Sequence, residues 1–546
     1  MIVFPLSATD PRIVHRAAPP LLSFGELLEL AGDPEPSGPL GVKFRTLLYT
    51  PFISNEAYYA GAQPHRPVRP GLGPLLRACL WNIERGKEFE LIRLAYSDSD
   101  GFLAAATSRR KEPMADVEQV DMQLELLQTS DVLILNEVDL GMTRTGYRDV
   151  AAELAAALQM NYAYGVEFIE VDALDLGRET IEIEDASLRQ EWDRITAPDP
   201  ERYRGLHGTA VLSRYPVIEA EVFRFEPCYD WYGQEKAAIT HMEKGRRFGA
   251  ERLFLERIGR EVRHGNRMAL IVRLAIPESP TGAVTVVAPH LENKTRPPCR
   301  VRQMRQLLMH IAALQDPVIL AGDLNTTGTD AAPMSITREI HKRITDPAFW
   351  VDQALRWATP VNLPRVFLMP ANFFKNHRDP TAWHIPLLAP NREANLFRML
   401  SRFRFSDDYA FDFRGDIERT TDGRERTLGN SNQRALKGFR PTFSFQRDFL
   451  GVVGRYKLDW FLIKPVVDPA GRELFSPHFP VTAQELNDAL PGGISDHYPL
   501  TVDLPMIEER AVPKRKRLAA PPRPKPQSET KTASGSRLQV QVDPTP

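Results

Sequence analysis

Three cysteines in 546 residues, Cys79, Cys228 and Cys299, are too few and too scattered to frame a disulfide scaffold or a zinc knuckle. The fold must therefore be held by a core, and a reducing, intracellular setting is the default expectation. Apolar runs near the ~20 residues that span a bilayer are also missing. The start, MIVFPLSATDPR, has neither the basic lead nor the apolar stretch of a secretory signal, so a cytoplasmic location is expected. An excess of positive charge is lacking too. Residues 505–546 hold nine Lys or Arg against four Asp or Glu, a net of +5, which leaves −7 on residues 1–504. A protein that grips long nucleic acid without sequence preference needs a basic footprint, because phosphate neutralisation supplies most of that affinity. The body does not advertise one, although net charge does not fix where a local basic cleft would lie.

What is present is the composition of an ordinary globular protein, 42% apolar and 26% charged, which argues against a largely disordered chain. Residues 1–75 are rich in Pro and turn formers, with one short helix expected at 23–30, and read as an extension wrapping the body. From Leu75 short apolar strands alternate with amphipathic helices. Strands are expected at 75–83, 131–139, 208–217, 267–276, 283–292, 317–325, 456–465 and 496–504, and helices at 116–130, 147–160 and 300–314. The last of these helices carries Val301, Met304, Leu307, Leu308, Ile311 and Leu314 on one face. A large insertion is expected at about 329–450 within a catalytic domain spanning 76–504. The Pro and Lys rich tail, 505–546, cannot bury enough apolar surface to fold.

Polar groups of a few types mark the strand ends: Asn82 and Glu84 in WNIERG, Glu137 in LNEVD, His290 in APHLEN, Asp323 and Asn325 in GDLN, Asp459 in LDW, and Asp496 with His497 in SDHYP. A rigid sheet can hold side chains from distant sequence positions at one edge. Singly, each has a bland reading: a turn cap, a solvent contact, a satisfied core histidine. Together they suit phosphate-ester hydrolysis, which needs a positioned water, a base for it and compensation of charge on the phosphoryl oxygens. Carboxylate and amide oxygens are the hard ligands Mg²⁺ prefers; Glu137, with Glu84 and Asn82 close by, would seat one ion. Asp323 would orient and deprotonate the water, and Asn325, two residues on along an extended end, would project to the same face and donate to a phosphoryl oxygen.

The segments LWNIERG, LNEVD, GTAVLSRYPV, APHL, AGDLN, LDWFLI and SDHYPL, in this order from about 77 to 504, resemble the signatures of the endonuclease/exonuclease/phosphatase superfamily, which includes DNase I, apurinic endonucleases, inositol polyphosphate phosphatases, neutral sphingomyelinases and deadenylases. Any one of these segments is weak, whereas seven in order are specific. The resemblance implies an α/β fold of DNase I type, a four-layer α/β/β/α sandwich with two packed mixed sheets. It also implies Mg²⁺, or Mn²⁺, as cofactor. By the same resemblance His497 faces the phosphate while an acid, either Asp459 or a residue not identified from the sequence, fixes its tautomer. Asp496 is then a metal ligand or the neighbour of one, and His290 a further group for proton transfer or charge stabilisation. Thr209 stands where relatives often have Asn, and His207 reads as structural or rim.

Arg144, on the loop leaving the Glu137 strand, would reach a substrate phosphate in a bidentate way or remain a solvated loop arginine. Three functions compete: a phosphodiesterase or phosphomonoesterase acting on a small molecule or lipid headgroup, a DNA or RNA nuclease, and a binding protein that lost the chemistry. The last is disfavoured because every polar position needed for hydrolysis is present. In the insertion, Arg398, Arg402 and Arg404 interleave with Phe397, Phe403 and Phe405, a pattern that suits base stacking or an amphipathic strand. No protein partner and no transmembrane segment are expected.

Overall fold

The computed structural model describes residues 13–111, 113–114, 116–173, 176–177, 198–237, 261–326, 394–412, 442–445 and 454–506. The expected tail beyond Met506, most of the 329–450 insertion, and Thr327 with Gly328 in the turn after GDLN lie outside them.

Strands of the first half are β1 (Arg16–Ala17), β2 (Phe52–Ser54), β3 (Val68–Arg69), β4 (Gly73–Arg85), β5 (Val132–Leu140), β6 (Asn161–Glu170), β7 (Leu206–Ser213), β8 (Val217–Arg224) and β9 (Arg263–Gly265). They are followed by β10 (Met268–Ala275), β11 (Ala283–Pro289), β12 (Val318–Asp323), β13 (Phe443–Phe445), β14 (Gly454–Tyr456), β15 (Asp459–Lys464), β16 (Val466–Val467), β17 (Glu473–Leu474), β18 (His478–Thr482) and β19 (Leu500–Pro505). The larger sheet runs β1-β2-β6-β7-β5-β4-β19-β18, with β3 on β4 and β9 on β6; the smaller runs β15-β12-β11-β10-β8. Both are mixed. β4 and β5 are parallel, as are β11 and β12, while β12 and β15 are antiparallel and bring Asp323 opposite Asp459.

Strand β4 shows why its sequence is apolar without alternation. Leu76, Ala78 and Leu80 point into the core shared with the smaller sheet, and Cys79, Trp81 and Ile83 point into the core beneath the helices. The helices on that outer side include Phe89–Ser97, Val117–Gln128 and Val150–Leu158, the last two opened by Asp116 and Asp149, whose carboxylates accept from Gln119 and Ala152 backbone N–H groups. On the far side, helix Pro297–Ile311 buries Met304, Leu307, Leu308 and Ile311 on the smaller sheet. The result is the expected four-layer α/β/β/α sandwich.

Several expectations are corrected. The segment before Leu75 does more than wrap the body: β1 and β2 extend the larger sheet through β6, and Asn55 accepts from Val217 N–H and donates to Val217 O. The strand expected at 208–217 is two, because Pro216 ends β7 and the chain crosses to the other sheet as β8. Strand β6 was not anticipated. At the C-terminal end Ser495–His497 is loop, with strand only from Leu500. The Arg and Phe rich stretch is neither a strand nor a stacking platform. Ala394–Arg402 is a helix whose Phe397 packs on Trp460, and Phe403, Phe405 and Phe411 pack on one another. Finally, Cys228 and Cys299, 71 residues apart, form a disulfide with their Cα atoms 6.2 Å apart, while Cys79 is free and buried. Scatter along the sequence did not preclude pairing, because the loop after β8 returns to the first turn of helix Pro297–Ile311. No helix among the described residues is long and apolar enough to cross a membrane.

Candidate active site

The ends of β4, β5, β11 and β12, the start of β15 and the loop before β19 meet at one edge of the sandwich. Three candidate residues there have backbone dihedrals that L-residues rarely adopt: Glu84 (φ 46°), Glu137 (φ 53°) and Asn325 (φ 47°). The β4–β5 register slips between Asn82 and Arg85, and the β5–β7 register between Leu135 and Val138. Such irregularities re-aim side chains at a strand end, and the strain is tolerated because the flanking ladders fix it.

Asp323 is the meeting point. Its Oδ2 lies 3.3 Å from Asn82 Nδ2 and 3.7 Å from both His290 Nε2 and His497 Nε2. Its Oδ1 accepts from Asn325 N–H at 2.8 Å, so one carboxylate oxygen closes the turn and the other faces the imidazoles. Burial, reinforced by the nearby Asp459, raises the Asp323 carboxyl above its ordinary range against the pull of His497 and His290. Asn325 does not continue the strand. Its left-handed backbone turns the amide away from the extended geometry expected, and Nδ2 donates to Leu291 O at 2.9 Å.

His497 Nδ1 sits 2.8 Å from Asp459 Oδ2. Burial opposes the charge on this ring, yet Asp459, Asp323 and Asp496 together hold its pKa well above the usual value. The SDH loop that carries it is pinned: Ser495 Oγ donates to Asn82 O and accepts from His497 N–H, and Asn487 both accepts from and donates to the Ser495 backbone. Thr442 Oγ1 accepts from the backbone N–H groups of Leu458 and Asp459, and the Phe443 ring packs edge-on to His497 at 4.8 Å. Among the described residues, the three acidic or histidine side chains whose ligand atoms converge within 4.8 Å are Asp323, Asp459 and His497.

Asp496, next to His497 in the chain, brings further carboxylates to the site. Glu84 pairs with Lys87 and accepts from Asp496 N–H. Burial first, then the charges of Glu84 and Glu137, push the Asp496 carboxyl up to about 7. Glu137 is half-buried, and no hydrogen bond or ion pair with a described residue reaches its carboxylate. Burial resists its ionisation, but His207, Arg85, His290 and Arg267 hold it well below the usual carboxylate range. A carboxylate whose acidity is raised, with no partner among the described residues and beside two further carboxylates, is a donor set for a hard divalent cation, and Asn82, Glu84, Glu137 and Asp496 fit that role.

Arg144 is not available to a substrate. Its guanidinium binds Asp139 through Nε and Nη2 and Glu170 through Nη1 and Nη2, and both carboxylates are buried. His207, hydrogen-bonded to Asp139 at 2.9 Å, belongs to the same network. Two participants were missed in the sequence. Glu167 of β6 lies with Oε1 3.1 Å from His290 Nδ1, and Arg267 lies with Nη1 3.0 Å from Glu167 Oε2 and against the edge of the same ring. Burial disfavours the charge on Glu167, but His290 and Arg267 hold it well below the ordinary range. The run NYAYGVEFIE carries a lone acid, but nothing in the sequence marks that acid as buried.

The Endonuclease/Exonuclease/phosphatase family profile matches residues 79–497, from the middle of β4 to the SDH loop. No curated protein matches the chain. Among solved structures it is similar to the endonuclease/exonuclease/phosphatase of Beutenbergia cavernae DSM 12333, at 16% identity over 79% of this chain and 71% of that one, with a TM-score of 0.31. It is also similar to D. rerio TDP2 complexed with single strand DNA product (13% identity, 79% and 98% covered, TM-score 0.32). A third likeness is to sphingomyelinase C from Streptomyces griseocarneus (15% identity, 79% and 99% covered, TM-score 0.28). With the family match spanning every strand end that contributes to the site, the chain belongs to the endonuclease/exonuclease/phosphatase family.

Proposed function

We propose that this protein is a Mg²⁺-dependent phosphoester hydrolase, with water attacking a phosphodiester or phosphomonoester under the control of Asp323. The observation that carries the reading is the convergence of Asn82, His290 and His497 on Asp323 Oδ2, with Asp459 behind His497. Asp323, its affinity for a proton raised by burial and by Asp459, is the base that takes a proton from water. His497, kept protonated by Asp459, donates to a phosphoryl oxygen and offsets its growing charge. Asn82 holds Asp323 Oδ2 on the side of the imidazoles. Asn325 secures the turn through Leu291 O and offers its second amide hydrogen to the phosphate. A cation held by Glu137, Glu84, Asn82 and Asp496 would polarise a phosphoryl oxygen and favour departure of the leaving oxygen. Asp139 and Glu170 occupy Arg144, so substrate charge is met by His497, His290 and the metal.

The substrate class we favour is a small molecule or lipid headgroup, because the body is acidic and Phe397, Phe405 and Phe411 of the Arg and Phe rich stretch are buried in the core. Purified protein with Mg²⁺ or Mn²⁺, assayed on plasmid DNA, RNA, abasic duplex, sphingomyelin and simple phosphate esters, tests this directly. Cleavage is expected, and Asp323→Ala and His497→Ala should each lower it by about 10²-fold or more with the fold intact. Near-normal turnover in either variant would remove its residue from the mechanism, and cleavage confined to DNA or RNA would replace the favoured substrate class by the nuclease reading.

A further inference from the structure

A closed ring of polar contacts passes through both sheets and begins and ends on Asp323. The backbone N–H of Asp323 donates to Asn136 Oδ1 at 2.9 Å, and Asn136 Nδ2 donates to Thr209 Oγ1 at 3.1 Å. Thr209 Oγ1 donates to Glu167 Oε1 at 2.7 Å, and the same Oε1 is 3.1 Å from His290 Nδ1. His290 Nε2 then faces Asp323 Oδ2 at 3.7 Å. The five residues come from β5, β7, β6, the end of β11 and the end of β12, and each is at most 2% exposed.

Atom types fix the direction of this ring from Asp323 as far as Glu167. A backbone N–H can only donate, so the carbonyl oxygen of the Asn136 amide must face Asp323 and its NH₂ must face Thr209. Having accepted that bond, the single hydroxyl hydrogen of Thr209 is free to go to the carboxylate of Glu167. Glu167, between Arg267 and His290, is placed to accept from the ring Nδ1–H, while Arg267 Nη1, which can only donate, lies 2.7 Å from Nδ1 and 2.8 Å from Nε2 of the same ring. The imidazole is thereby left with Nε2 turned to Asp323. At position 209 a single oxygen both accepts from Asn136 and donates to Glu167, so removing the hydroxyl breaks the ring at two contacts.

We propose that Thr209, with Asn136, is a positioning residue for the hydrolytic centre: its hydroxyl fixes the orientation and tautomer of His290 through Glu167 and, through Asn136, the placement of the Asp323 backbone. The inference rests on the proposed hydrolytic reading of the site. Thr209→Val preserves shape and removes the hydroxyl, leaving Asn136 Nδ2 without an acceptor and Glu167 Oε1 one donor short. Thr209→Ser preserves the hydroxyl.

The test uses the full chain with Mg²⁺ and bis(4-nitrophenyl) phosphate, and reads kcat and KM separately. Thr209→Val is expected to lower kcat by about 10- to 100-fold with KM within about threefold of wild type, and Thr209→Ser to restore kcat. A structural role alone would reduce the folded fraction, which lowers apparent kcat at unchanged KM, so kcat is normalised to the folded fraction measured by circular dichroism. A second readout needs no turnover: the ¹⁵N signals of the His290 ring report which nitrogen carries hydrogen, with Nδ1–H expected in wild type and Thr209→Ser but mixed tautomers in Thr209→Val. If Thr209→Val does not fold, Thr209→Ala replaces it. Wild-type kcat together with an unchanged His290 tautomer in the hydroxyl-free variant overturns the proposal. An inactive wild type would count against the hydrolytic reading, and the tautomer would then decide the positioning role by itself.

Discussion

His497 owes its charge to Asp459. The carboxylate at Nδ1 raises the ring's pKa against the cost of burying it, so the protonated form persists to higher pH than for a free histidine. Turnover that needs this proton is therefore retained through neutral pH and lost as pH rises through the raised value. Asp459→Asn removes the main favourable partner, and the alkaline limb of the kcat profile is expected to move to lower pH; an unmoved limb would show that another group sets it. The residues legible in the sequence were those whose polarity interrupts an apolar strand at its end, as with Asp323 after VILAG or Asp459 before WFLI. Glu167 and Arg267 were not legible, because a single charge inside an apolar strand looks the same whether it meets solvent or a buried partner. Arg144 was misjudged for a related reason. Its partner Glu170 lies 26 residues away on a strand that had not been recognised.

At the scale of elements, two connections outside the site set how firmly its walls are held. The Cys228–Cys299 bridge ties the loop after β8 to helix Pro297–Ile311. Next to it Trp231 donates to Glu292 at 2.9 Å and covers Arg263 with its ring centre 3.7 Å from the guanidinium carbon. A bridge closing 71 residues removes unfolded-state entropy worth about 4 kcal/mol in the chain-entropy model. Reduction by dithiothreitol is accordingly expected to lower the unfolding free energy by a few kcal/mol, read as a fall in denaturant midpoint, and to leave a Cys228→Ser, Cys299→Ser variant unaffected. An equal midpoint with and without reductant would mean that the bridge does not stabilise the fold. In a reducing compartment the bond would be open, which joins stability to redox setting.

β9 joins the N-terminal helices to the larger sheet through His264. Its Nε2 donates to Leu30 O at 2.9 Å and its ring stacks on Tyr232. Burial, more than any other influence, pushes its pKa down to about 4, so the folded ring is neutral where the unfolded one is charged. Between about 6.5 and about 4 the unfolded chain binds the extra proton, and stability falls as pH falls, by up to about 3 kcal/mol from this group. Urea unfolding of wild type and His264→Gln at pH 7.5 and pH 5 checks this: the wild type's advantage should shrink at the lower pH. A constant difference would remove the linkage. Such long-range ties were not legible, because β6, β8 and β9 are recognised only once their partners are known. The helix at 394–402 was hidden for a different reason: its Arg and Phe alternation fits a strand period locally, and the choice was made by packing on Trp460.

For the whole molecule the architecture was readable, because β4, β5, β11 and β12 are apolar on both faces, and such strands must lie between layers. That two-sheet arrangement is what joins residues 82, 137, 290, 323, 459 and 497 at one edge. It explains why the chemistry is spread over more than 400 positions yet belongs to one family match. The site's acidic side, Glu84, Glu137 and Asp496, is where the proposed cation would sit. Glu137→Gln is expected to weaken Mn²⁺ binding measured by calorimetry by about 10-fold or more, with unchanged thermal stability of the metal-free protein. Binding equal to wild type would place the cation elsewhere.

In the proposed mechanism Asp323 and His497 act as one hydrolytic unit. Groups that act together lose activity together, so their single and combined replacements are grossly non-additive. The most direct measurement is kcat/KM for Asp323→Asn, His497→Ala and the double variant on a phosphodiester in Mg²⁺. The double variant is predicted to lose no more than the worse single one, each being at least about 10²-fold below wild type. Losses that multiply in the double variant, or either single variant retaining near-normal turnover, would show that the two residues do not work as a unit.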